Sequence, residues 1–173
     1  MKRRLQVRMV WHILVEDAEK WDMTHGYFEQ AEHLKELYEI NTSSEERQGR
    51  RMTEHYLEEV TEEEKKEYIK WYGVFNKENL LLGYIKLIAT PKFYNMTGIL
   101  GHSEYLKDNI MHLMLHDLMI ELIKENENNE SDVYIMYDTY FGASEGLKLY
   151  KKKHCFTPYK VKWKYIAPKG EKK

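Results

Sequence analysis

The sequence predicts an α+β domain with a mixed, mostly antiparallel sheet and a central parallel strand–helix–strand crossover. Three observations lead to this prediction: a meander of β-type segments over 68–103, a long amphipathic helix directly after it, and an apolar strand beyond that helix. A strand, a helix and a second strand in one sheet are joined by a right-handed parallel crossover. The full predicted order is strand, two helices, three strands, long helix, strand, short helix, strand.

The first third of the chain is expected to form one strand and two helices. Leu5–Val15, "LQVRMVWHILV", is rich in β-branched residues and predicts the first strand. From Asp22 to about Lys70 the apolar spacing becomes helical. The second helix would lie in "RRMTEHYLEEVTEEEKKEYIKWY", with a capping box at Thr61 and a solvated acidic run over Glu58–Glu67. The core-facing side of the first helix would carry Tyr27, Ala31, Leu34, Leu37 and Tyr38.

The middle of the chain predicts the meander and the long helix. Its strands are Tyr68–Phe75, Leu80–Thr90 and Met96–Ser103, with a turn at Asn76–Asn79 and a break at "PKFYN". The helix lies in "LKDNIMHLMLHDLMIELIKENENNE" and ends in an asparagine-rich turn. Its broad apolar face consists of Ile110, Leu113, Met114, Leu118, Ile120 and Leu122.

The last part of the chain predicts a buried strand, a short helix and a closing strand. Asp132–Tyr140 is apolar on both faces, as in a strand buried within a sheet. Gly146–Tyr165 would form the helix and then a strand whose lysines face outward. We expect a single domain over 1–166 and a disordered basic tail at 167–173. The core-facing row of the last strand would be Tyr159, Val161, Trp163 and Tyr165.

Composition narrows the possible functions. The 173 residues carry a net charge of −2, which argues against general electrostatic binding of DNA. Residues 148–173 nevertheless contain ten lysines and one acid, Glu171, so this segment is either a site for an anionic ligand or a solvated basic surface. A single cysteine, Cys155, rules out an intrachain disulfide and fits a reducing compartment. The sequence shows neither a signal peptide nor a membrane span, so we expect a cytoplasmic protein.

Several kinds of chemistry find little support in the residues. His112 and His116 have a metal-ligand spacing, but no third histidine or cysteine pair accompanies them, so no metal is expected. Cys155 follows His154 directly, and adjacent residues on a strand point apart, which favours a structural cysteine. Neither a nucleotide-hydrolase phosphate loop nor a dinucleotide fingerprint is present. The aromatic and basic C-terminal strand could stack the bases of single-stranded nucleic acid.

One passage carries a family resemblance. It stands in this sequence as Tyr137-Asp138, Gly146-Leu147, Tyr150-Lys151, Phe156, Pro158-Tyr159, Val161 and Trp163. Together with the order of elements over 68–165, it resembles the GNAT superfamily of acyl-coenzyme A-dependent N-acetyltransferases, and more closely its branch of Fem-like acyltransferase domains. Two departures stand out: "HSEYLKDNIM" lacks the glycines of the usual pyrophosphate turn, and Cys155 replaces the glycine before Phe156.

The resemblance implies a cofactor site. It places acetyl-CoA or another acyl-CoA in a split between two parallel strands, here Met96–Ser103 and Val133–Thr139, with the pyrophosphate on amides at the start of the long helix. Lys107, Lys148 and Lys151–Lys153 would help to neutralise its phosphates. The implied cofactor-binding residues are Gly101, Ser103, Tyr105, Lys107, Asp108, Asn109, Ile110 and Lys151.

The resemblance also implies the reaction. The acceptor amine would attack the thioester directly, with Tyr150 as general acid unless it is a core aromatic. The base would be His102, Glu104 or Asp138, each of which could equally be a cap or a polar strand end.

The predicted activity is therefore transfer of an acetyl or longer acyl group to the amine of a small molecule or peptide. No membrane or nucleic-acid partner is expected, and a homodimer is possible. The alternatives are a catalytically inactive GNAT-fold binding module and an RNA-binding domain that uses the C-terminal strand.

Overall fold

A computed structural model describes residues 23–47, 50–129, 131–137 and 140–162. The predicted strand Leu5–Val15, the predicted tail 167–173 and the candidate base Asp138 lie outside these residues. In chain order the elements are β1 Thr24–Phe28, a 3-10 helix Gln30–Glu32, α1 Leu34–Thr42, β2 Glu46–Arg47, β3 Arg50–Arg51, α2 Glu54–Leu57, β4 Ile69–Phe75, β5 Leu81–Thr90, β6 Phe93–Gly101, a 3-10 helix Ser103–Asp108, α3 Ile110–Glu125, β7 Tyr134–Tyr137 and α4 Glu145–Lys153.

The described part of the chain forms a mixed sheet with the order β1-β4-β5-β6-β7. The first three neighbouring pairs are antiparallel, whereas β6 and β7 run parallel and are joined through α3. This arrangement confirms the predicted α+β class, including the parallel crossover and the meander. The predicted break at "PKFYN" was too long, because β6 begins at Phe93 rather than Met96. A separate hairpin pairs β2 with β3.

Apolar side chains bury both faces of the sheet. α3 covers one face, where Leu115 and Leu118 pack with Leu87 and Met96. Most of its predicted apolar face is buried, since Ile110, Leu113, Met114, Leu118 and Leu122 all belong to this core. α1 covers the opposite face, where Leu37 and Ile40 pack with Phe75, Tyr84 and Leu100. Each such aliphatic side chain contributes roughly 1.5–3 kcal/mol through burial.

The prediction for the first helix was wrong at its start. Tyr27 lies on β1, and the helix α1 begins at Leu34. β1 pairs antiparallel with β4 from Thr24 opposite Phe75 to Phe28 opposite Trp71. Hydrogen bonding along this ladder overrides the local helical spacing, because strand preference depends on cross-strand neighbours more than on the segment itself.

The second predicted helix is also wrong. Only α2 is helical, and residues 58–66 form no helix despite the apparent capping box at Thr61. The amide of Gln30, which is 7% exposed, binds this segment from both sides: its Nε2 donates to the Thr61 carbonyl at 2.9 Å, and its Oε1 accepts from the Glu63 N–H at 3.1 Å. These bonds take up backbone groups that a helix would need for its own ladder.

The closing strand is the third correction. Residues 156–162 are not in a strand, and Tyr159 is 83% exposed rather than turned toward a core. α4 ends in a Schellman motif, in which the N–H of Phe156 donates to the carbonyl of Lys151 and Cys155 adopts a left-handed φ of 62°. Trp163 and Tyr165 of the predicted strand lie outside the described residues. The preceding strand begins at Tyr134 rather than Asp132 and is described as far as Tyr137; residues 138 and 139 lie outside the described part of the chain.

Candidate active site

A cleft lies along β6 and extends beyond its described pairs with β7. In the described chain, β7 pairs with β6 only from Phe93 opposite Tyr134 to Met96 opposite Tyr137, while β6 continues to Gly101. We call the last pair, Met96 and Tyr137, the fork. The cleft has a volume of about 1300 Å³ and is bounded by β6, β7, α4 and the segment after α4. The part of β6 beyond Met96 lines this cleft, which is therefore the candidate site.

A β-bulge lies at the fork. Lys86 of β5 pairs with Gly98 and Leu87 pairs with Met96, so Thr97 is an extra residue in β6. The hydroxyl of Thr97 donates to the Lys86 carbonyl at 3.3 Å. A bulge bends its strand and increases the local twist. The bend falls in the part of β6 that lines the cleft.

The end of β6 is packed tightly. A Cβ atom on Gly101 would lie 2.6 Å from Sδ of Met111, so any other residue here would require this side chain to move. Its carbonyl accepts a hydrogen bond of 2.8 Å from Nη1 of Arg47. Nη2 of Arg47 donates to the Ile40 carbonyl at 2.7 Å, and burial lowers the pKa of this guanidinium. Arg47 therefore joins α1, β2 and the end of β6.

The turn after β6, residues 102–110, has several of its amides engaged within the chain. The N–H of Ser103 donates to Oγ of Ser43 at 3.0 Å, and Oγ of Ser103 donates to the Ser43 carbonyl at 2.6 Å. Nδ1 of His102 accepts from the N–H of Glu104 at 3.4 Å. The N–H of Tyr105 donates to the His102 carbonyl at 3.1 Å. These bonds shape the turn as a 3-10 helix instead of the glycine-rich loop typical of the superfamily.

Asn109 connects this 3-10 helix to α3. Its φ of 59° lies in the left-handed region, which asparagine tolerates better than most residues. Its carbonyl accepts the N–H groups of both His112 and Leu113 as α3 begins. Lys107 is exposed, Asp108 is half-buried and Ile110 is fully buried. The positive end of the α3 dipole thus faces a turn with an exposed lysine.

Tyr150 points into the protein. Its hydroxyl donates a hydrogen bond of 2.7 Å to the Met111 carbonyl, and burial raises its pKa far above the ordinary value. Its ring centroid lies 4.6 Å from that of His112 and 4.7 Å from that of His154. Within the described residues, Tyr150 does not contribute to the lining of the cleft. The position suits the core-aromatic interpretation better than a general acid at the thioester.

Lys151, the next residue, does line the cleft. It is 2% exposed, in contrast to the exposed Lys152 and Lys153. Its Nζ donates to the Tyr137 carbonyl at 2.9 Å and lies 4.5 Å from the centroid of the Tyr137 ring. A buried ammonium is thus held at the fork.

The predicted site residues are only partly brought together. Lys151 lines the cleft, whereas the described positions of His102 and Glu104 are in the turn beyond it. Sequence reasoning missed Tyr56 of α2 and Phe141, which also line the cleft. The sequence around Tyr56 did not indicate a place in the cleft, because only the tertiary packing of α2 brings this residue there.

The described residues contain no three His, Cys, Asp or Glu side chains that converge as metal ligands. Nδ1 of His112 instead lies 2.9 Å from Nε2 of His154, which is a hydrogen-bond distance. None of the helices in the described part is both long and apolar enough to cross a membrane.

Comparison with known proteins shows similarity in structure alone. No family model matches the chain, and no curated protein matches it in sequence. The crystal structure of a Trypanosoma brucei acetyltransferase is similar with a TM-score of 0.53 and 12% identity, over 84% of this chain and 100% of that one. The ribosomal-protein-S18-alanine N-acetyltransferase of Escherichia coli gives 0.51 and 12% over 75% of each chain. An aminoglycoside 6′-N-acetyltransferase of Acinetobacter baumannii gives 0.51 and 9%, over 86% of this chain and 99% of that one.

These similarities show that the chain has the fold of N-acetyltransferases. The fold is that of the GNAT superfamily, so the predicted resemblance is confirmed at this level. The closer likeness to Fem-like domains stays a prediction.

Proposed function

We propose that the protein is an acyl-CoA-dependent N-acyltransferase, with acetyl-CoA as the first candidate donor. The observation that carries this proposal is the cleft along β6, which is lined by residues 97–100 of that strand. A strand edge of this kind presents backbone N–H and C=O groups that an extended ligand can pair with. The pantetheine arm of coenzyme A contains two amide groups and is well suited to such pairing.

The cleft fits the arm of the cofactor well. Residues 97–101 extend over roughly 14 Å of strand, and the volume of about 1300 Å³ accommodates an extended chain. Fewer backbone N–H donors are available to the diphosphate, because the amides of Ser103, Glu104 and Tyr105 already donate within the chain. We assign it to the start of α3 and the exposed Lys107, where the helix dipole and the lysine both favour an anion.

The bound cofactor would supply an acyl thioester, and the chain's own residues would orient it against an amine. Holding the two reactants together lowers the entropic part of the barrier. His102 or Glu104 would accept the proton that the amine loses, directly or through water. The acceptor would be a small-molecule or peptide amine, since the similar structures include an aminoglycoside and a ribosomal-protein acetyltransferase. A cytoplasmic location and a possible homodimer remain part of this proposal.

The first experiment is thermal unfolding of the protein with and without acetyl-CoA. A ligand at 100 times its dissociation constant adds about 2.7 kcal/mol to stability, which for a chain of this size raises Tm by about 5–10 °C. Thr97→Trp would fill the cleft from an exposed position of β6 and should abolish the rise. Thr90→Trp is the matched control, because Thr90 is exposed on β5 and does not line the cleft.

The results separate the proposal from its alternatives. No rise in Tm at millimolar acetyl-CoA or longer acyl-CoA, with the protein folded, would support an inactive GNAT-fold module. Equal loss of the rise in both tryptophan variants would contradict the location of the cofactor.

A second candidate function draws on the exposed Tyr159, which lies beside the exposed Lys160 and Lys162. An aromatic ring between lysines can bind single-stranded RNA by stacking and charge. Retention on RNA with a steep dependence on salt, lost on Tyr159→Ala, would favour that function.

A further inference from the structure

Lys151 lies in the cleft at the fork. Its Nζ is bound to the carbonyl of Tyr137, and Tyr137 forms the fork with Met96. The ammonium is also 4.5 Å from the Tyr137 ring centroid, close enough for a cation–π interaction. Taking an ammonium out of water costs several kcal/mol before compensation. Packing alone therefore does not explain a lysine at this position.

The backbone that carries Lys151 is held firmly. Its carbonyl accepts the N–H of Phe156 at 3.0 Å in the Schellman motif at the end of α4. α4 itself begins at a cap in which Oγ of Ser144 accepts from the N–H of Leu147 at 3.3 Å. The helix that presents the ammonium is thus fixed at both ends. A preorganised charge of this kind costs little reorganisation when charge develops next to it.

The position of the thioester follows from the proposed function, on which this inference rests. With the diphosphate at residues 102–110, the arm runs along β6 from Gly101 toward Met96. The sulfur end then reaches the fork, which is where the Lys151 ammonium lies. We propose that Lys151 is the residue that stabilises the coenzyme A thiolate as it leaves.

The step can be written with every bond accounted for. The nitrogen lone pair of the neutral acceptor amine forms the new C–N bond at the thioester carbonyl. The C–S bond breaks, and its electron pair stays on sulfur as a thiolate that pairs with the Lys151 ammonium. The amine proton passes to the base and then to solvent. Solvent protonates the thiolate after coenzyme A leaves, and Lys151 remains charged throughout.

The other titratable groups at the cleft are less suited to this role. Tyr137 uses its carbonyl and ring to hold Lys151, and Lys160 is exposed on the segment after α4. Tyr140 lies under the Lys148 ammonium at 5.9 Å. The hydroxyl of Tyr150, the acid suggested by the resemblance, is bound to Met111 and directed away from the cleft.

The test is the titration of the thiol of bound coenzyme A, followed through the ultraviolet absorbance of the thiolate. A free thiol has a pKa of about 8.5. We expect the thiol bound to the unmodified protein to ionise with an acid dissociation constant at least about tenfold higher. Lys151→Arg should preserve this shift, because it keeps the charge, and Lys151→Met should abolish it. Lys160→Met removes a lysine from the rim of the same cleft and should leave the shift intact.

Each outcome bears on the inference. Coenzyme A that binds the unmodified protein with an unshifted thiol pKa overturns the role of Lys151 and leaves the proposed function standing. Failure of the unmodified protein to bind coenzyme A overturns both. A shift that survives in folded Lys151→Met, or disappears in Lys160→Met, assigns the effect to another charge. If Lys151→Met does not fold, an unshifted thiol pKa in the unmodified protein, or a shift lost in folded Lys151→Arg, still overturns the inference.

Discussion

The pair formed by His112 and His154 should make the protein sensitive to acid. Nδ1 of His112 lies 2.9 Å from Nε2 of His154, and the two rings stack with centroids 5.0 Å apart. Burial, together with the smaller effects of His112, His116 and Lys153, lowers the pKa of His154 to about 4. Burial also lowers the pKa of His112. The folded protein therefore resists protonation of this pair.

The direction of the pH effect follows from proton counting. An unfolded histidine has a pKa of about 6.5, so between pH 6.5 and 4 the unfolded chain binds more protons at His154 than the folded chain does. The free energy of unfolding then falls as the pH falls through this window, and it is unaffected by His154 above it. The difference between pKa values of 6.5 and about 4 corresponds to at most about 3.4 kcal/mol. Because the ring is only partly buried, solvent screening reduces this to about 1–2 kcal/mol.

The assay is urea unfolding between pH 7.5 and 4.5, with histidine NMR titration as a direct check. His154→Gln should show a smaller loss of stability over this range, by about 1–2 kcal/mol. His55→Gln, at an exposed position of α2, is the control and should follow the unmodified protein. Parallel pH curves for His154→Gln and the unmodified protein, or a His154 ring that titrates near pH 6.5, would refute the reasoning.

Three further predictions concern stability. Cys155→Gly should raise the free energy of unfolding by about 0.5–1 kcal/mol, because φ is 62° at this helix end and glycine adopts it without strain; no gain in urea unfolding would contradict this. Arg47→Met should lower the free energy of unfolding by about 2–4 kcal/mol through the loss of buried charged hydrogen bonds. Arg51→Met, at an exposed residue, should have little effect, and equal losses in the two variants would refute the role of Arg47. Tyr150→Phe should lower the free energy of unfolding by about 1 kcal/mol by removing the hydrogen bond to Met111, and it should leave the thiol pKa of bound coenzyme A unchanged. A raised thiol pKa in this variant would instead indicate that Tyr150 is the general acid.

Sequence reasoning succeeded where local pattern and tertiary structure agree. The meander, the long helix and the parallel crossover all have strong periodicity and clear turns, and all three are present. It failed for Tyr27 and for the segment after α2, because the deciding contacts are distant in sequence: the ladder of β1 with β4, and the Gln30 amide on Thr61 and Glu63.

The same distinction between local pattern and tertiary contacts applies to the candidate site. Lys151 could be picked out from its place in the family-like passage, but its burial at the fork could not. That burial depends on where Tyr137 directs its carbonyl. The roles of His102, Glu104 and Asp138 stay predictions.

The extra residue at Thr97 also changes how this strand should be compared with distant sequences. Tyr94 and Met96 face the α3 core, but the next residue to do so is Ile99, three positions on rather than two. Even-numbered residues of β6 therefore face the α3 core before the extra residue, and odd-numbered residues face it afterwards. An alignment that enforces strict alternation through this strand will slip by one residue and pair Ile99 with a position on the wrong face. Such a slip would also move Gly101 out of register, so relatives of this chain are better aligned with one unpaired position allowed after Met96.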